Sequence, residues 1–193
     1  MKLLPAFLMV LLCCQSNLAY SAPYKVETKV FTDEFEDKQD TIFTLIGNHL
    51  SDVKNSTYAI EIILKKHISN GPISRGDSFY TFEFRWFALR PSGVPKYGNN
   101  LILILDGEKQ IHSFSVSEFK HTWRDEPNIE VRISGSSALG LIANIAFSKE
   151  VKVKIKRGFS DADPISGKFE GDTIKNIRRF YLDYGDSGLR NTE

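Results

Sequence analysis

Tyr80, Phe82, Phe84 and Trp86 alternate with Thr81, Glu83 and Arg85, and this one stretch commits the chain to a sheet with two unlike faces. Successive side chains of a strand point to opposite sides, so a period of two gathers the aromatic rings on one side and the polar groups on the other. Aromatic and β-branched residues suit a pleated, half-buried surface. The aromatic side is therefore expected to face a core, and the side of Thr81, Glu83 and Arg85 to face water.

The same period recurs. Tyr58, Ile60, Ile62 and Leu64 share a face, with Glu61 and Lys65 opposite; Tyr24, Val26, Thr28 and Val30 share another, with Lys25, Glu27 and Lys29 opposite. Asp33 to Asp40 reads as a solvated acidic loop, followed by a strand over Thr41 to Ile46. Leu101 to Leu105 is a fully apolar strand, Asp106-Gly107 a tight turn, and Lys109 to Phe114 its antiparallel return. A further strand covers Ile129 to Ile133, and Val151, Val153 and Ile155 resume the alternation later. Gly71-Pro72, Arg75-Gly76-Asp77 and Pro91 to Pro95 punctuate these runs as turns or loops.

Helical spacing enters only late. Ser136 or Ser137 is placed to cap a helix carrying Leu139, Ile142, Ala143, Ile145 and Ala146. Asp172 is placed to cap a second, with Ile174, Ile177, Tyr181 and Tyr184 on one stripe. The polar tail after Gly185 is expected to fray. Strands first and helices last imply a mainly β, α+β fold: an antiparallel β-sandwich or curled sheet with one or two C-terminal helices on an edge or end. The strand, helix and strand from Ile129 to Ile155 would allow one parallel pair in it.

The start of the chain speaks to destination. Lys2, an apolar run from Leu3 to Leu12 broken by Pro5, polar Gln15-Ser16-Asn17 and small Ala19 and Ser21 follow the order of a secretory signal peptide. Residues 1–21 are expected to be removed after Ser21, leaving 22–193 as one globular β-rich domain, secreted or periplasmic. The apolar run falls short of the roughly 20 residues a spanning helix needs, and no later stretch reaches that length. Cys13 and Cys14, the only cysteines, lie within the leader, so the remaining chain forms no disulfide. A lipid-anchored envelope protein attached through Cys13 or Cys14 is the alternative.

The chain has 25 Lys and Arg against 24 Asp and Glu. Losing Lys2 with the leader leaves 24 against 24, a neutral balance that argues against a nucleic-acid binder. His49, His67, His112 and His121 have no metal-ligand spacing, and His112 with His121 is the only pair worth a distance. Asp161, Asp163, Glu170 and Asp172 lack a calcium-loop pattern and read as a polar loop leading into a cap. No nucleophile elbow or phosphate-binding glycine loop occurs. Neither a cofactor nor a metal is expected. Asn55-Ser56-Thr57 matches a glycosylation acceptor between strands.

What remains is surface. Lys152, Lys154 and Lys156 alternate with apolar residues and lead into Arg157. They form either a positive stripe for an acidic surface or, the favoured reading, lysines guarding an edge strand. Phe79 and Phe87 lie on the polar side of the aromatic strand, either as a contact patch or as core beneath a helix. The expected role is a non-catalytic domain that binds a protein or small molecule through its β face. The rival is an enzyme whose site forms only in the fold.

Overall fold

The computed structural model describes residues 23–34, 37–54, 59–71, 77–87, 98–120, 127–156 and 163–185. Among them the elements run β1 (Lys25–Asp33), β2 (Lys38–Lys54), β3 (Glu61–Asn70), β4 (Asp77–Phe87), β5 (Gly98–Leu105), β6 (Glu108–Lys120), β7 (Pro127–Ser134), α1 (Ser136–Phe147), β8 (Val151–Ile155), β9 (Ile165–Phe169) and α2 (Gly171–Tyr184). The fold is β-rich α+β. The strand order is β1-β2-β3-β4-β7-β6-β5-β8-β9, and β9 pairs back onto β2, so the sheet curls until it closes.

Closure depends on two long strands that serve both halves of the ring. The first half of β2 pairs with β1, and its second half pairs with β9 through Leu50↔Phe169 and Ser51↔Lys168. β6 pairs with β5 as far as Phe114 and with β7 from Ser115 onward. Strands that change partners in this way make the corners of a curled sheet. In β2 the corner is a register shift between Leu45 and Asn48, where Gly47 takes φ 78°. A positive φ is cheap only for glycine, and the bulge bends the strand. Asn48 is fully buried there; its Nδ2 donates to the Ile46 carbonyl at 3.1 Å, and its Oδ1 accepts from Asn176 Nδ2 of α2 at 2.9 Å. The expected end of this strand at Ile46 is therefore a bend, not a stop. Gly167 closes the ring on the other side: a Cβ there would lie 3.1 Å from the Ser51 carbonyl oxygen and 3.3 Å from Leu50 Cβ.

Among the described residues all strand pairs are antiparallel, so the parallel pair allowed for Ile129 to Ile155 does not form. β6 and β5 stand between β7 and β8. Asp106, in the β5–β6 turn, explains the landing of β8: its carboxylate accepts the Lys149 and Glu150 N–H groups at 2.8 Å each, and its own N–H donates to the Glu150 carbonyl at 3.0 Å. Those backbone donors hold the Asp106 carboxyl below its ordinary range. They also seat β8 against β5.

One core joins the inner faces to the helices. It contains Ile60, Ile62, Leu64, Tyr80, Phe82, Phe84, Leu101, Leu103, Val151, Val153 and Ile155, with Leu141, Ile142 and Ile145 of α1 and Ile174, Ile177 and Phe180 of α2. The helices start differently from expectation. Gly135, not Ser136 or Ser137, is the N-cap of α1, and its N–H is tied to the Tyr80 carbonyl at 2.9 Å. Glu170 precedes α2, and Asp172 sits in the first turn paired with Lys175 at 2.9 Å.

The second face of β4 overturns the expectation that it faces water. Thr81 is 3% exposed and Glu83 0%. Register sets Lys65 beside Thr81, and Arg132 beside Glu83. The Glu83 carboxylate accepts from Lys65 Nζ at 2.8 and 2.9 Å, Arg132 Nε at 3.1 Å and Arg85 Nη2 at 3.2 Å. The long stems of these cations cover the strand while their heads stay partly in water.

Candidate binding face

β8 shows a clean alternation: Val151, Val153 and Ile155 are buried, and Lys152, Lys154 and the following Lys156 are exposed. Its place in the ring removes the favoured explanation for those lysines. β8 lies between β5 and β9, not on an edge. Among the described residues, β1 is the strand with a single neighbour. Lysines in the middle of a sheet do not guard an edge, so they need another account.

Directly paired residues of antiparallel strands share a face. One row across the outer face is therefore Ile111, Ile102, Lys154, Ser166 and Lys54; the next is Lys109, Ile104, Lys152, Lys168 and Ser51. The fully apolar strand Leu101 to Leu105 divides accordingly. Leu101, Leu103 and Leu105 enter the core, while Ile102 is half-buried and Ile104 is exposed among the lysines. A groove of about 360 Å³ runs over this face, with Ile102 and Ile104 beneath and Lys54, Lys152, Lys154 and Lys168 around it.

Two carboxylates pair with lysines of this face. Lys168 Nζ is 2.7 Å from Asp52, and Lys152 Nζ is 3.0 Å from Glu150. The Asp52 hydrogen bond holds the Lys168 ammonium above its ordinary pKa. Lys54, Lys109, Lys154 and Lys156 make no ion pair among the described residues. Six lysines against Asp52, Glu150 and Glu170 leave this face at +3 in a chain of nearly neutral total charge. Ammonium groups are donors without acceptor capacity. Arranged over an apolar floor, they suit an anion that also carries an apolar part.

The other sequence candidates scatter. Phe79 is 48% exposed on the opposite half of the ring, stacked on His67 with ring centroids 4.3 Å apart. It is thus neither core nor part of the lysine face. Burial, with a lesser push from Lys65, holds the His67 imidazole below its ordinary pKa. Phe87 pairs with Asn128 in β4–β7, but its side chain lies outside the described residues, as do Arg157, Asn55, His121, Asp161, Cys13 and Cys14. His112 lies 3.3 Å from Gln110, and burial lowers its pKa. His49 is exposed. Among the described residues no three His, Cys, Asp or Glu side chains converge as metal ligands. No helix there is long and apolar enough to cross a membrane.

A second cavity, about 410 Å³, lies where the β5–β6 turn meets the end of α1, between Asp106, Glu108, Gln110, Asn144 and Phe147. It mixes two carboxylates with two amides, and the Asp106 carboxylate is already engaged by the Lys149 and Glu150 N–H groups. The residues that sequence reading missed are Lys54, Lys168, Ile102 and Ile104. The alternation Leu-Ile-Leu-Ile-Leu was legible as a strand, but nothing in it marks which isoleucines face out. Lys168 belongs to β9, whose Ile-Ser-Gly-Lys-Phe carries a glycine and a weak apolar signal. Comparison of the chain with protein-family models, curated proteins and solved structures returned no match.

Proposed function

We propose that this chain is an exported, non-catalytic binding domain that holds an amphipathic anion on the outer face of β5, β8, β9 and the end of β2. One observation carries the reading: the alternating lysines of β8 sit mid-sheet, and neighbouring strands add Lys54, Lys168 and an isoleucine floor to the same face. Clustered charge over a low-dielectric surface attracts a counter-charge. The floor accounts for an apolar chain on the ligand better than for a bare ion.

Calorimetric titration with monomeric dodecyl phosphate tests it, beside inorganic phosphate and an uncharged dodecyl glycoside. Saturable binding of dodecyl phosphate alone, weakened by salt, is expected. Exposed charge contacts are worth up to about 1 kcal/mol each, so Lys54→Ala with Lys154→Ala is expected to weaken binding about tenfold. Unchanged affinity in that double variant, or equal affinity for inorganic phosphate, overturns the proposal. Export rests on the leader, and the mass of the protein isolated from its host checks it. A chain beginning at Ala22 supports release, and an acylated chain beginning at Cys13 or Cys14 replaces it with membrane anchoring.

A further inference from the structure

We propose that two copies of this chain associate through β1, the two strands pairing antiparallel about a two-fold axis at Thr28. This inference is independent of the lysine face. β1 pairs along its whole length with β2 and, among the described residues, has no strand on its other side. A strand so placed presents backbone N–H and C=O groups to any complementary edge. Val30 and Phe31 on this strand are each 54% exposed.

Symmetry and charge then select the register. A two-fold axis normal to a sheet keeps each residue on its own face, and opposite residues of antiparallel strands share a face. Residues that meet must therefore be an even number apart in sequence. An axis at Glu27 sets Glu27 against its own copy and Lys25 against Lys29. An axis at Lys29 sets Lys29 against itself, and one at Val30 sets Glu27 against Asp33. An axis at Val26 leaves only Lys25 to Glu27 of the strand paired, and one at Phe31, although it sets Lys29 against Asp33, leaves only Lys29 to Asp33, against Lys25 to Phe31 for the axis at Thr28. The axis at Thr28 sets Glu27 against Lys29 twice and Val26 against Val30 twice, and lays the Lys25 stem along Phe31 twice. Lys-x-Glu-x-Lys on the outward side of β1 complements itself in this register. Glu27 already meets Lys25 at 3.3 Å, but that pair is well exposed and exchanging it costs little.

Sedimentation velocity on the full mature chain tests this with Glu27→Lys, Lys29→Glu and the two combined. The wild type is expected to dimerise with concentration. Each single reversal sets like charges opposite at two points and is expected to weaken the dimer at least about tenfold; the combined reversal restores it. Amide exchange in β1 is expected to slow as the dimer forms. A wild type that stays monomeric at its highest soluble concentration overturns the proposal. So does a dimer indifferent to the single reversals, or one that the combined reversal fails to rescue while circular dichroism shows all four proteins folded.

Discussion

Replacing Glu83 with alanine is expected to lower the stability of the chain by about 3 kcal/mol in urea denaturation. The carboxylate is completely buried and accepts from Lys65, Arg85 and Arg132 within 3.2 Å, with Thr81 Oγ1 at 3.4 Å. Its removal strips an acceptor from three cations at once. Their side chains are 19%, 31% and 40% exposed, so water recovers part of the loss. Truncating one cation behaves differently, because Glu83 keeps its other donors. Lys65→Met is expected to cost about 1 kcal/mol. The ordering is the test: if Lys65→Met costs as much as Glu83→Ala, the carboxylate is not the hub.

Phe84→Ala is expected to cost about 3–5 kcal/mol. Phe84 is 0% exposed and meets two rings edge-on, Phe82 at 5.0 Å and Phe169 at 6.2 Å. Phe82 is on its own strand, whereas Phe169 belongs to β9 on the other half of the ring. The lost ring therefore opens a cavity where the two halves meet, and surroundings fixed by sheet hydrogen bonds collapse into it only partly. Phe79→Ala, on the same strand but half exposed, is expected to cost about 1 kcal/mol, since about half of its surface stays in water. Guanidinium denaturation of both variants decides the point, and equal losses would remove Phe84 from the junction.

The strand pattern was legible because a period of two is a local property. Ile60, Ile62 and Leu64, and Tyr80, Phe82 and Phe84, went to the core as their alternation required. The late helical stripe of Ile174 and Ile177, with Tyr181 and Tyr184, did the same. Local reading misled where a polar residue found partners from other strands. Glu83 looks solvated beside Thr81 and Arg85, and only pairing with β3 and β7 brings Lys65 and Arg132 to it. It misled again at Gly47 and Asn48, where a break in the pattern is a bend in a continuing strand. The lysines of β8 show the same limit. Their alternation was visible, but an edge and an interior strand look alike until their neighbours are known.

The amino-acid order determined most of the strands and both helices, though not β9 or the full length of β2, which residues of those strands go to the core, and that Lys152 and Lys154 share a face. Those properties depend on backbone geometry over a few residues. The tertiary structure decided that β9 returns to β2, that Ile102, Ile104, Lys54 and Lys168 join the lysines of β8, that Glu83 is buried, and that β1 has a single neighbouring strand among the described residues. Those depend on register between strands distant in sequence, which is set by the closing of the whole ring and by no single segment of it.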